Sequence, residues 1–266
     1  MQLSRKRQTE YTGPDDENIY HPPVSTMTAP DAQGPQGDLR WENGVPVSGR
    51  FDDPYYSREN GLEETRHVFI EGCRLSAMIA ARRTSIAELG FGTGLNFCAT
   101  LAHWRHHAPP DLPLDYTAFE LYPMQADAID RALAVWPELD TQRAALVSAW
   151  RPEGGTVEIG PARLTLVIGD ARETVPAWSG LADAWYLDGF APSRNPQMWE
   201  PGLLGAVGRA STPDAIAATY SVAGVVRRGL EAAGFTLERL PGYGRKREML
   251  RAFRTNPDRG TPASRR

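Results

Sequence analysis

A run of glycines and four carboxylates are the residues of this chain whose types and spacing can do chemistry. The glycines stand at alternate positions in Glu88-Leu89-Gly90-Phe91-Gly92-Thr93-Gly94, after a short apolar run and before a helix-forming stretch that opens near Leu95. Alternate glycines let the backbone turn sharply and approach a ligand closely, and a helix starting there points its free amides at that ligand. A strand before and a helix after is the context such a loop requires. The dinucleotide fingerprint needs glycines at its first, third and sixth positions; counted from Gly90 the sixth is Leu95, which disfavours a pyrophosphate-binding form. Glu120 closes the next apolar run, where a carboxylate can accept both hydroxyls of a ribose. Asp170, in Val167-Ile168-Gly169-Asp170-Ala171, can accept from an adenine amino group, cap the following helix, or do both. Asp188 ends a further apolar run and precedes a loop of Gly, Pro and aromatic residues. Ligands of open parallel sheets bind outside the carboxyl ends of the strands, so Asp188 is the catalytic candidate; its plainer role is to brace that loop.

The elements that must position these residues are legible as alternating apolar runs and amphipathic stretches, the pattern of a mostly parallel sheet with helices on both faces. Strands are expected at 85–89, 116–120, 163–168, 184–188 and 215–220. Helices are expected at about 95–106, 125–136, 171–178, 201–210 and 222–233. Segments 235–240 and 248–253 bracket the turn-rich Pro241-Gly242-Tyr243-Gly244-Arg245-Lys246-Arg247 and form a hairpin that closes the sheet with an antiparallel strand; Gly160-Pro161 turns a smaller one. Residues 1–38 and 255–266, rich in Pro, Gly and polar residues, are expected to be flexible tails around one domain at 39–254.

Composition narrows the function classes. The chain has 266 residues, 41% hydrophobic and 23% charged, with a formal net charge of -4, proportions that suit an α/β domain with a sizeable core. No stretch approaches the length of a membrane span and no apolar targeting segment follows Met1, so a cytoplasmic protein is expected. Cys73 and Cys98 lie in apolar surroundings without a second ligand at metal spacing, so they are expected to be core thiols and no metal site is expected. Between Thr219 and Arg254 eight Arg and Lys residues face three Glu, a surplus of five in an acidic chain. Such a concentration suits a phosphate backbone, or is an ordinary solvated surface.

The glycine loop resembles the acidic-x-Gly-x-Gly-x-Gly loop of class I S-adenosylmethionine (SAM) methyltransferases, a Rossmann-like α/β fold. That resemblance implies a cofactor site of Glu88, Gly90, Phe91, Gly92, Thr93 and Gly94, with Glu88 near the methionine end, Glu120 on the ribose and Asp170 on the adenine. More specifically, Phe51 to Ser57, Asn60 to Arg66, Gly90 to Phe97, Leu187 to Trp199 and Gly242 to Leu250 together resemble the methyltransferase domain of the bacterial tRNA 5-methylaminomethyl-2-thiouridine biosynthesis enzymes, over about Leu39 to Phe253. The implication is methylation of the primary amine of 5-aminomethyl-2-thiouridine at the tRNA wobble position. Bifunctional members continue into an FAD-dependent oxidoreductase domain that frees this amine. The present chain has no second Gly-rich strand-helix unit and resembles the stand-alone form, so a separate oxidoreductase is the expected supplier of the substrate.

A primary alkylamine, with a pKa about that of lysine, roughly 10.4, is protonated at neutral pH and must lose a proton before attack. Asp188 is then expected to accept a hydrogen bond from the amine, orient its lone pair and take or relay the proton. Tyr56 and Phe190 are the aromatics expected to contact the cofactor or stack on the uracil. Asn60 to Arg66 is expected to lie over the cofactor, with Glu63 or Glu64 near its amino group. Arg245, Lys246 and Arg247 are expected to bind the RNA. Methylation of a different amine, and a catalytically silent RNA-binding protein, are the competing readings.

Overall fold

The computed structural model describes residues 38–83 and 85–254. Apart from Asp38, the expected tails lie outside the described residues. The chain enters as an antiparallel meander, β1 (Leu39–Glu42), β2 (Val45–Ser48) and β3 (Asp53–Pro54), followed by α1 (Gly61–Thr65), a π-helical turn (Arg66–Glu71) and α2 (Leu75–Ala80). Asn60 starts α1 as its N-cap, its side chain accepting from the Glu63 amide at 3.2 Å. Such a cap satisfies one of the orphan donors of a helix start.

Strand and helix then alternate: β4 (Ser85–Leu89), α3 (Leu95–His107), β5 (Leu114–Glu120), α4 (Ala126–Leu133), α5 (Asp140–Ala149), β6 (Gly155–Ile159), β7 (Ala162–Ile168), α6 (Ala171–Ala177), β8 (Ala182–Leu187), α7 (Pro201–Arg209), β9 (Ser211–Thr219), α8 (Gly224–Ala232), β10 (Phe235–Pro241) and β11 (Glu248–Arg254). The sheet order is β10-β11-β9-β8-β4-β5-β7-β6. Strands β9, β8, β4, β5 and β7 pair parallel, while β6 and the β10–β11 hairpin add antiparallel edges. The expected mostly parallel α/β sheet is therefore the observed one, with both expected hairpins in place.

Two apolar layers cover the sheet, as a parallel sheet requires. Period-two alternation divides the strands between them. Ile86, Tyr116 and Tyr186 face the layer built with α3, while Ala87, Leu89, Trp185 and Leu187 face the layer built with α6, α7 and α8. Cys73 and Cys98 are buried in the first layer, the core thiols expected. Chain order reverses between β4 and β8: β4 leads through α3 to β5 on one side, while β8 and β9 extend the sheet on the other. That reversal opens a crevice outside the carboxyl ends of the two strands.

Candidate active site

The glycine loop sits at this reversal. Gly90, Gly92 and Gly94 have φ of +82°, +54° and +74°, values that side chains bearing a Cβ adopt only with strain. A Cβ on Gly90 would stand 2.8 Å from the backbone oxygen of Asp188, so the tips of β4 and β8 can approach this closely only with glycine there. The Gly92 amide donates to Glu120 Oε2 at 3.1 Å, and the Tyr122 amide donates to Glu120 Oε1 at 2.7 Å. Each carboxylate oxygen retains a further lone pair for a hydroxyl. Thr93 is buried, and the Phe91 ring turns into the core, stacked on Trp150 at 5.0 Å.

Beneath the loop lies a polar network inside the first core layer. The same alternation that puts Ile86 under α3 puts Glu88 there, with 0% of it exposed. Its Oε1 accepts from Asn96 Nδ2 at 2.7 Å and its Oε2 from the Tyr116 hydroxyl at 2.9 Å. Burial, and next the neighbouring Asp188 charge, push its pKa well above the usual carboxylate range. Glu88 is thus a support under the loop. Asn96 Nδ2 also donates to Asp188 Oδ2 at 2.7 Å, and Asn96 Oδ1 accepts from Thr65 Oγ1 at 2.8 Å. Asp188 itself is half-buried at the tip of β8. Burial raises its pKa to about 7; the Asn96 hydrogen bond and the Lys246 charge hold it down, while Glu64 adds to the rise.

The expected residues around this centre divide. Lys246 and Glu64 belong to it: they pair at 2.7 Å, and the Lys246 ammonium lies 3.6 Å from the centroid of the Tyr220 ring. The Tyr220 hydroxyl in turn donates to the Gly189 carbonyl. Glu63, by contrast, pairs with Arg66. Phe190 stands beside the crevice, stacked on Phe51 at 4.7 Å and edge-on to Tyr55 at 5.1 Å. Tyr56 points elsewhere, its hydroxyl donating to the Ala132 carbonyl at 3.1 Å and its ring packed on Trp136. Its neighbour Tyr55 takes the place beside the glycines, 3.2 Å from where a Cβ on Gly92 would be. Asp170 caps α6, accepting from the Arg172 amide at 2.9 Å, and Arg172 holds its pKa low through a side-chain bond.

The basic stretch is not one surface. Arg251 donates to the Gly72 and Glu71 carbonyls and Arg254 to those of Ala233 and Gly234. Arg239 pairs with Glu248, and Arg245, 94% exposed, with Glu59. Arg247 is exposed and makes no ion pair among the described residues.

Sequence reasoning missed Asn96, Thr65 and Tyr220, and among the aromatics it put Tyr56 ahead of Tyr55. A signal for Asn96 existed: Asn96 and Thr100 stand four residues apart in α3, and both are buried. Polar residues repeated on the inner face of a helix imply a hydrogen-bonded partner set.

Residues 137–255 match the S-adenosyl-L-methionine-dependent methyltransferase family. The chain is 47% identical, over 86% of its length, to the tRNA 5-methylaminomethyl-2-thiouridine biosynthesis bifunctional protein MnmC of Caulobacter vibrioides. It is 42% identical to the protein of the same name from Chromohalobacter salexigens, again over 86% of its length. It spans 39% and 34% of these two relatives. The crystal structure of MNMC2 from Aquifex aeolicus superposes with a TM-score of 0.67 at 21% identity, covering 81% of this chain and 69% of that one, and shares the fold. Among the described residues, no helix is long and apolar enough to cross a membrane.

The residues present fit SAM. The three-glycine bend brings backbone bare of side chains to the carboxyl end of β4, and Glu120 stands beside it with lone pairs to spare.

Proposed function

We propose that this methyltransferase converts 5-aminomethyl-(2-thio)uridine at the wobble position of tRNA to 5-methylaminomethyl-(2-thio)uridine. The observation that carries the proposal is Asp188, half-buried at the tip of β8, whose backbone lies directly against the Gly90 turn of β4. The name borne by the Caulobacter and Chromohalobacter relatives supports the choice of substrate.

Bound SAM supplies an electrophilic methyl group on a sulfonium. In this reading the glycine bend, from Gly90 to Gly94, and Glu120 hold the donor, Glu120 through the ribose hydroxyls. Asp188 accepts a hydrogen bond from the incoming ammonium, takes or relays its proton, and leaves the nitrogen lone pair aimed along the transfer line. A carboxylate with a pKa of about 7 is a better proton acceptor than an ordinary one, because its basicity is matched to neutral pH. Phe190, with Tyr55 and Phe51 beside it, offers an aromatic wall to the uracil. Arg247 and the neighbouring hairpin residues meet the RNA backbone. The partners are tRNA bearing the free aminomethyl group and an FAD-dependent oxidoreductase activity that releases that group from its precursor; the cytoplasm, where tRNA matures, is the site of action.

The test is transfer of labelled methyl from SAM to tRNA isolated from a strain blocked at the aminomethyl stage. Label is expected on this tRNA and absent from tRNA lacking the aminomethyl group. Equal labelling of both sinks the substrate assignment.

A further inference from the structure

Asp188 follows the last paired residue of β8, so no strand neighbour fixes its side chain. What fixes it is Asn96. The amide nitrogen of Asn96 has two hydrogens, and both are committed, one to Asp188 Oδ2 and one to Glu88 Oε1, each at 2.7 Å. The orientation of that amide follows from its partners: Glu88 Oε1 and Asp188 Oδ2 both present acceptor lone pairs, so nitrogen faces them and oxygen faces away. The oxygen side meets the one donor that fits, the Thr65 hydroxyl at 2.8 Å. Glu88 is anchored in turn by Tyr116 on its other oxygen. The hydrogen-bonded chain therefore runs from β5 through β4 and α3 to the tip of β8, every link buried or half-buried.

From this geometry we propose that Asn96 is a positioning residue for methyl transfer: its amide clamps Asp188 to the buried Glu88, with Thr65 locking the amide, so that the remaining lone pairs of Asp188 meet the amine in one orientation. Without the clamp the carboxylate rotates, and misplacement of an acceptor by about 1 Å costs on the order of 100-fold in rate. The proposal rests on the role given to Asp188 under the proposed function. The charged and titratable groups around Asp188 are Glu64, Lys246, Glu88, Tyr116 and Tyr220, and the Gly189 amide also faces it.

The experiment compares Asn96→Ala, Thr65→Val and Thr65→Ser in the full chain. Three quantities are read: kcat for tRNA methylation, SAM affinity by calorimetry, and the titration of the Asp188 side-chain carboxyl by carbon NMR. Asn96→Ala is expected to lower kcat by about 100-fold, leave SAM affinity and the KM for tRNA little changed, and move the Asp188 midpoint upward. Thr65→Val is expected to do the same more weakly, and Thr65→Ser to restore both kcat and midpoint. Should Asn96→Ala fail to fold, the Thr65 pair carries the test. Unchanged kcat and an unmoved Asp188 midpoint in folded variants overturn the clamp. The outcomes also separate the two ideas. A moved midpoint with a fully active Asp188→Asn keeps the clamp and rejects the role of Asp188 in catalysis; an inactive Asp188→Asn with an unmoved midpoint does the reverse.

Discussion

Asp188 is asked to be charged where burial makes charge costly, and that conflict has two measurable consequences. Its ordinary pKa of 3.8 is raised to about 7 in the folded protein. Between those values the folded chain keeps a proton that the unfolded chain has lost. Its stabilising contribution is therefore complete below about pH 4 and is lost as the pH rises through about 7. Asp188→Asn, which cannot ionise, is expected to gain thermal stability over the parent at pH 8 and little at pH 4, as scanning calorimetry would read. The same substitution removes the acceptor for the amine proton, so kcat is expected to fall by about 100-fold or more, with SAM affinity retained. In the parent, kcat/KM is expected to rise with pH through a midpoint near 7, as the carboxylate form grows. A variant more stable at pH 8 and equally active would show that the carboxylate is a structural burden only.

At the level of elements, α1 and the residues on either side of it are fastened to the end of β10 and the hairpin loop that follows it. The fasteners are Glu64 with Lys246, Glu59 with Arg245, and His67 Nε2 against the Pro241 carbonyl at 2.8 Å. Lys246 thus acts on Asp188 as well as on α1. Removing its charge by Lys246→Met is expected to shift the midpoint of the kcat/KM profile to higher pH, because the ammonium favours the Asp188 carboxylate. An unmoved or lowered midpoint would contradict that coupling. The sheet strands β4, β5, β7, β8 and β9 were legible because each is a short apolar run, and the glycine loop because its neighbours are a strand and a helix. The meander was not, since Pro46 interrupts β2 and β3 holds two residues. Nor was α5, whose buried face is only Gln142 and Leu146. Tyr55 and Tyr56 are indistinguishable by composition; only the exit direction of β3 decides which one meets Gly92. The hairpin basic run was legible as charge, but pairing with Glu59 and Glu64 depends on where α1 lands, which no local pattern encodes.

Over the whole molecule, a formal charge of -4 stands against the polyanion of the proposed function, so for that reading the positions of the unpaired cations matter more than their number. Arg251 and Arg254 are spent on backbone carbonyls, and Arg239 and Arg245 on carboxylates; Arg247 is exposed without an ion pair among the described residues. Two substitutions in the same strand-loop unit should then behave oppositely. Arg247→Ala is expected to weaken tRNA binding and to flatten its dependence on salt, since each phosphate left without its cation reduces the slope of log K against log salt by about 0.7 to 0.9, while the melting temperature is unchanged. Arg251→Ala leaves the Glu71 and Gly72 carbonyls without their donor and Glu238 without its partner. Its expected signature is a drop of about 1–3 kcal/mol in folding stability, with the salt slope of the surviving folded protein intact. Fluorescence titration of tRNA at several salt concentrations, run beside thermal melts of both variants, checks the pair. Equal slopes for the parent and Arg247→Ala would move the RNA-binding surface away from the hairpin loop.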